Sequence, residues 1–171
     1  MTSLTGESEV VTRKDLAPAW SPVAYSGGRR LAADAESVCA LVYDLDHVTP
    51  SQLEGLSGAL EREGWLYAIH ETYTPGRYRL CVPLARDLEP SEYPAVWEAA
   101  AQTLGIWEAI DQACSDLARL FYAPSRPDAG SPRFAHSDGQ TLCNPAKSRR
   151  LGASKPNVRY CLLYTSDAAD E

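Results

Sequence analysis

Asp44 and Asp46 stand one residue apart at the end of the run 38–46, Val-Cys-Ala-Leu-Val-Tyr-Asp-Leu-Asp. In an extended chain alternate side chains share a face, so the two carboxylates project together. Carboxylates that close repel unless a divalent cation neutralises them, and oxygen donors suit Mg2+ or Mn2+. Two carboxylates hold such an ion poorly. The next acids on an apolar background are Asp111 and Asp116, both just ahead of the apolar stretch 117–122. With either one, a three-carboxylate site could hold ions that bridge a triphosphate and orient an attacking hydroxyl. Arg77 and Arg79 share one strand face, and guanidinium forks match phosphate oxygens. Arg119 brings the same chemistry, and His70 falls at a strand end.

Each residue also has a plainer role. Asp44 and Asp46 suit a turn before Thr49-Pro50, and His70 suits a satisfied structural histidine. The arginines suit a solvated face with glutamate partners. What favours chemistry is the place of the acid pair at the exit of a buried strand, where sites are commonly grafted. The chain has no phosphate-cradling glycine loop, no zinc spacing and no nucleophile elbow.

The elements that must position these groups follow from periodicity. The short apolar run 38–46, rich in β-formers, predicts a buried strand. Leu53, Leu56 and Leu60 predict a helix over 51–63, with Thr49 or Ser51 as its cap and Gly64 as its stop. Residues 65–69 predict a strand ending at His70, and Pro75-Gly76 mark the tip of a turn. Alternation over 77–84 predicts the second arm of a hairpin, ended by Pro83 or placed by it at an edge. Tyr93, Val96, Trp97, Ala100 and Leu104 share one face of a helix over 90–104. A shorter helix is expected over 106–114, a strand over 117–122, and one more strand or hairpin within 132–142. The order β-α-β-β-α-(α)-β is an α+β pattern, a sheet covered by helices.

With 171 residues, 44% of them hydrophobic and 23% charged, the chain has enough apolar material for one core. It contains no apolar run of membrane-spanning length and no secretory leader pattern. The five cysteines are scattered and odd in number, which points to a reducing cytoplasm rather than a disulfide or thiolate framework. The formal charge of −7 does not exclude a nucleic-acid partner, because its distribution is uneven. Residues 126–160 carry seven basic groups against two acidic ones, a local excess of +5.

Residues 1–28 read as a polar, loosely packed leader, with 29–142 as the domain that carries the candidate site residues. Residues 143–160 read as a basic segment, expected to be the start of a continuation. The last eleven residues, 161–171, resemble a translated sequencing adapter; without their three acids the charge would be −7 + 3 = −4.

Four pieces occur in one order: Val-Tyr-Asp-Leu-Asp, then Ala-Ile-His-Glu-Thr-Tyr-Thr, then Arg-Tyr-Arg-Leu-Cys-Val-Pro-Leu, then Ile-Asp-Gln-Ala-Cys-Ser-Asp-Leu-Ala-Arg-Leu-Phe-Tyr-Ala-Pro-Ser. Together they resemble the catalytic domain of archaeo-eukaryotic-type primases, in the RepB-like primase and primase-polymerase branch of phage and plasmid replication. The resemblance covers residues 38–127. It implies an RRM-like mixed or antiparallel sheet covered by helices, with Mg2+ or Mn2+ as cofactor. The implied partners are nucleoside triphosphates and a single-stranded DNA template, together with a helicase domain or subunit. By the resemblance Asp44 and Asp46 are the first two metal ligands. The family's third carboxylate precedes an Arg by eight residues, a spacing that Asp111 and Arg119 share, so Asp111 is preferred and Asp116 is the alternate. Many members carry Ser-x-His on the central hairpin, where this chain reads Arg77-Tyr78-Arg79. Either Arg79 replaces that histidine or His70 supplies it from the facing strand.

Two other readings compete. Asp-Leu-Asp-His-Val after an apolar strand also resembles the opening motif of haloacid-dehalogenase-type phosphatases, but the later lysine and acid pair of that family are missing in context. A non-catalytic RRM-like nucleic-acid-binding module would keep the same fold with structural acids.

Overall fold

The computed structural model describes residues 9–46, 48–127 and 134–137. Among the described residues nine strands and two α-helices follow in chain order: β1 (Glu9–Val10), β2 (Ala19–Trp20), β3 (Val23–Tyr25), β4 (Ala35–Leu45), α1 (Pro50–Glu63), β5 (Tyr67–Glu71), β6 (Tyr78–Leu88), α2 (Tyr93–Thr103), β7 (Phe121–Tyr122), β8 (Ser125–Arg126) and β9 (Phe134–Ser137). Five of them form the main sheet in the order β3-β4-β6-β5-β9, every pair antiparallel. Two small pairs stand apart from it, β2 with β7 antiparallel and β1 with β8 parallel.

β4 lies inside the sheet. Its Val38, Leu41, Val42, Tyr43 and Leu45 are all fully buried, and Leu41, Val42 and Tyr43 are consecutive, so both faces of the strand are covered there. On one face Tyr43 stacks on Trp97 of α2 at 4.9 Å between ring centres, and Leu45 joins Leu56 of α1 and Leu104 in one apolar cluster. The other face meets the chain between α2 and β7.

α1 begins and ends where its residues dictate. The Thr49 hydroxyl accepts the Gln52 N–H and the Gln52 side chain accepts the Thr49 N–H, so two orphan donors are satisfied together. Gly64 closes the helix at φ 69, a left-handed conformation that costs glycine nothing. α2 buries Tyr93, Val96, Trp97, Ala100 and, just beyond its end, Leu104, the apolar face read from the sequence.

Four expectations change. β6 does not end at Pro83 but runs on to Leu88. Pairing with β5 reaches only Cys81, and the β4 register shifts just past the Ala40–Pro83 pair, so the missing proline N–H falls at the end of the regular ladder. The helix expected over 106–114 is two 3-10 turns, Trp107–Ala109 and Gln112–Ser115. Between them Ile110 makes a single bridge to Leu45, which holds that backbone extended. The strand expected over 117–122 shrinks to Phe121–Tyr122 and pairs with β2 outside the main sheet. Within the region read as leader, Val23–Tyr25 forms an edge of the main sheet and Ala17 and Ala19 are buried. The basic segment 143–160 and the tail 161–171 lie outside the described residues, and of 132–142 only β9 lies inside.

Candidate functional site

Cross-strand register builds the site. Asp44 on β4 stands opposite Arg79 on β6, and Arg79 stands opposite His70 on β5. The three side chains therefore form one row across the sheet, on the face turned away from Tyr43, Leu45 and the helices. Opposite charges directly across a ladder attract. Here the Arg79 fork takes both Asp44 oxygens, Nε donating to Oδ1 at 2.7 Å and Nη2 to Oδ2 at 3.2 Å. Its remaining nitrogen, Nη1, donates to the Tyr122 carbonyl at 2.6 Å, and the guanidinium lies 4.9 Å from the centre of the Phe121 ring. The short pair β2–β7 thus closes over the row and buries it.

His70 completes the row at 4% exposure, with Nδ1 3.0 Å from the Glu71 carbonyl oxygen. Burial disfavours its charged form and the Arg79 charge adds to that, so its pKa falls from 6.5 to about 4 despite the Glu71 carbonyl. The ring is neutral near pH 7, with its proton assigned to Nδ1 by that contact.

Asp111 reaches Asp44 from a different part of the chain. The Asp111 N–H donates to the Asp44 carbonyl at 3.0 Å, beside the Ile110–Leu45 bridge. Its side chain caps the following 3-10 turn, with Oδ1 accepting the Ala113 N–H at 3.0 Å. Oδ2 accepts from Arg119 Nη2 at 2.9 Å, and that same nitrogen lies 4.0 Å from Asp44 Oδ2. One turn on, Cys114 is buried, and ligand atoms of Asp44, Asp111 and Cys114 all lie within 4.8 Å of one another. Burial, and then the Asp44 carboxylate, push the Cys114 thiol up to about 12.

The sequence-derived candidates therefore fall into three groups. Asp44, Asp111, Arg79, Arg119 and His70 come together. Asp46 and Arg77 form a looser ion pair at 3.5 Å, both more than a third exposed, at the rim beyond the end of β4. Asp116 is exposed and turns its Oδ1 to the Ala118 N–H; it is not among the three residues that converge. Cys114 is not among the candidates that the sequence singles out. Its spacing of three from Asp111 was the available signal, because residues three apart eclipse in a 3-10 turn.

Two of these three donors suit a hard divalent cation, and a further oxygen donor would complete the site. Two carboxylates from separate elements converge, and hard oxygen donors are what Mg2+ and Mn2+ take. Their mutual repulsion is at present relieved by two guanidiniums.

Residues 22–149 match the family model described as the VapE N-terminal domain. The chain belongs to that family. Among solved structures, the VapE N-terminal domain seen here is similar to the AEP domain of the cyanophage S-2L primase-polymerase, PrimPol. The TM-score is 0.51 at 14% identity, over 72% of this chain. The match spans 65% of the phage chain, slightly under two thirds of its length. No curated protein matches. At that identity the likeness establishes the fold, and the fold is that of a primase-polymerase catalytic domain: α+β, with an RRM-like antiparallel sheet packed under two helices.

Proposed function

We propose that this domain is a metal-dependent nucleotidyltransferase that synthesises or extends oligonucleotide primers on a single-stranded DNA template during phage or plasmid replication. The observation that carries the reading is the convergence of Asp44 and Asp111 within 4.8 Å on a primase-polymerase fold. In this reading Asp44 and Asp111 hold Mg2+ or Mn2+, with Asp46 at the rim as an outer ligand. The ion supplies charge neutralisation on the triphosphate and a more acidic attacking hydroxyl. The hydroxyl oxygen bonds to the α-phosphorus and gives its proton to solvent, the bond from the α-phosphorus to the bridging oxygen breaks, and pyrophosphate leaves with that electron pair.

The protein's own groups orient the reactants. Arg119 and Arg77 are accessible enough to meet phosphate oxygens, whereas Arg79 and His70 lie in the buried row beneath. Nucleoside triphosphates and the template strand are the substrates of this reading. A helicase domain or subunit as partner rests on the family resemblance alone. Among the described residues no helix is long and apolar enough to cross a membrane, and a cytoplasmic location is part of the same proposal.

The bidentate Arg79–Asp44 pair favours a second reading, a non-catalytic nucleic-acid-binding module whose acids are already neutralised. One assay separates them: labelled nucleotides, a single-stranded template and Mn2+ or Mg2+, with wild type beside Asp44→Asn and Asp111→Asn. Metal-dependent product from wild type, reduced about 100-fold or more in each variant, supports the enzyme. Retention of a nucleic-acid probe with no product under either metal supports the binding module instead.

A further inference from the structure

The two guanidiniums that neutralise the site are held in different ways. Arg79 has a side chain only 7% exposed, and all three of its nitrogens are committed, two to Asp44 and one to the Tyr122 carbonyl. Phe121 covers its face. Releasing it would strand a buried cation and unpair a partly buried carboxylate, a change proteins resist strongly. Arg119 is 36% exposed, and its Nη2 makes one hydrogen bond, to Asp111 at 2.9 Å. The second carboxylate, Asp44, lies at 4.0 Å, too far for a hydrogen bond.

We infer that Arg79 is a fixed positioning residue for Asp44, while Arg119 is an exchangeable placeholder that cedes the oxygens of Asp44 and Asp111 to a divalent cation and turns to the phosphates of the incoming triphosphate. The inference rests on the metal-dependent reading above and specifies how its site is loaded.

Charge and distance support the exchange. Asp44 and Asp111 bring −2, and Arg79 with Arg119 bring +2, so the site is balanced with both arginines in place. A divalent ion sits about 2.0–2.6 Å from carboxylate oxygens, so an ion shared by these two acids competes with Nη2 for the same oxygens. Once the ion is present, the local charge is −2 + 1 + 2 = +1 before Arg119 is counted. That repels Arg119 and attracts a polyanion. The partly exposed guanidinium then matches phosphate oxygens, while Arg79 keeps Asp44 aimed. The same two residues would play opposite parts in metal binding and in phosphate binding.

The test uses the full chain, with Mn2+ alone and then inorganic triphosphate at saturating Mn2+. Mn2+ binding is read by electron paramagnetic resonance and triphosphate binding by calorimetry. Arg119→Gln is expected to bind Mn2+ about threefold to fivefold more tightly than wild type, since a competing surface cation is gone. It should bind triphosphate about tenfold or more weakly. Arg79→Lys, which keeps the charge but loses the fork, should bind Mn2+ more weakly and leave triphosphate affinity at saturating Mn2+ unchanged. Arg119→Gln with wild-type or weaker Mn2+ affinity overturns the inference while leaving the metal site standing. So does an Arg79→Lys loss of triphosphate affinity that matches the Arg119→Gln loss. If neither wild type nor Arg119→Gln binds Mn2+, the metal-dependent reading fails and the placeholder role fails with it.

Discussion

Among single residues, His70 makes the most direct statement about pH. Its pKa is about 4 in the folded protein against 6.5 when solvated, so the unfolded chain binds its proton first as pH falls. The stability it contributes is complete above about pH 6.5 and is lost through the window from there down to about pH 4. Across that span the loss amounts to about 3 kcal/mol, at roughly 1.4 kcal/mol per pH unit. His70→Gln, neutral at every pH, is expected to flatten this part of the profile. Urea unfolding at pH 7.5, 6, 5 and 4 reads it directly. Parallel losses in wild type and variant across that range would show that burial of the imidazole does not drive the acid sensitivity.

At the scale of elements, α2 holds β4 in place by one residue. The indole Nε1 of Trp97 donates to the Val42 carbonyl at 3.0 Å, and the Tyr43 hydroxyl donates back to the Trp97 carbonyl at 2.8 Å. Trp107 packs edge-on against the same indole at 6.0 Å. These contacts fix the strand on the residues just before Asp44. Trp97→Ala should cost about 3–5 kcal/mol, from lost apolar contact plus the cavity left behind. Trp97→Phe keeps a ring but loses the donor, so a smaller cost of about 1–2 kcal/mol is expected. Denaturant midpoints at constant slope measure both. Equal costs for the two variants would place the effect in the hydrogen bond rather than in packing.

For the molecule as a whole, the N-terminal region serves two surfaces at once. β3 pairs along the edge of β4, and β2 pairs with β7, whose Phe121 covers Arg79. Trp20 adds a ring contact to Phe121 at 5.6 Å. Deleting residues 1–25 therefore exposes a sheet edge and loosens the cover over the charged row in one step. An exposed edge is a template for association. The truncated chain is expected to run as higher-order species in size-exclusion chromatography, with a lowered unfolding midpoint. A monodisperse truncation of unchanged midpoint would show that these strands are dispensable.

Local pattern carried much of this protein by itself. The face of α2, the Gly64 stop, the central strand and a cap at Thr49 or Ser51 all follow from residues within one or two turns of each other, where periodicity and caps act. The acid pair at the strand exit was legible in the same way. Long-range pairing was not. Nothing near Pro83 announced that β5 would end before it, which is what lets β6 continue. Nor did the region 106–122 disclose that a single Ile110–Leu45 bridge would break its helix into two turns and carry Asp111 to the Asp44 backbone. Asp44 and Asp46 are equivalent in sequence, both acidic and both on one strand face. The tertiary structure separates them, because β7 and the turn at Cys114 cover only the inner of the two. Asp44 is thereby drawn into a buried, arginine-balanced row, and Asp46 is left at the solvent edge.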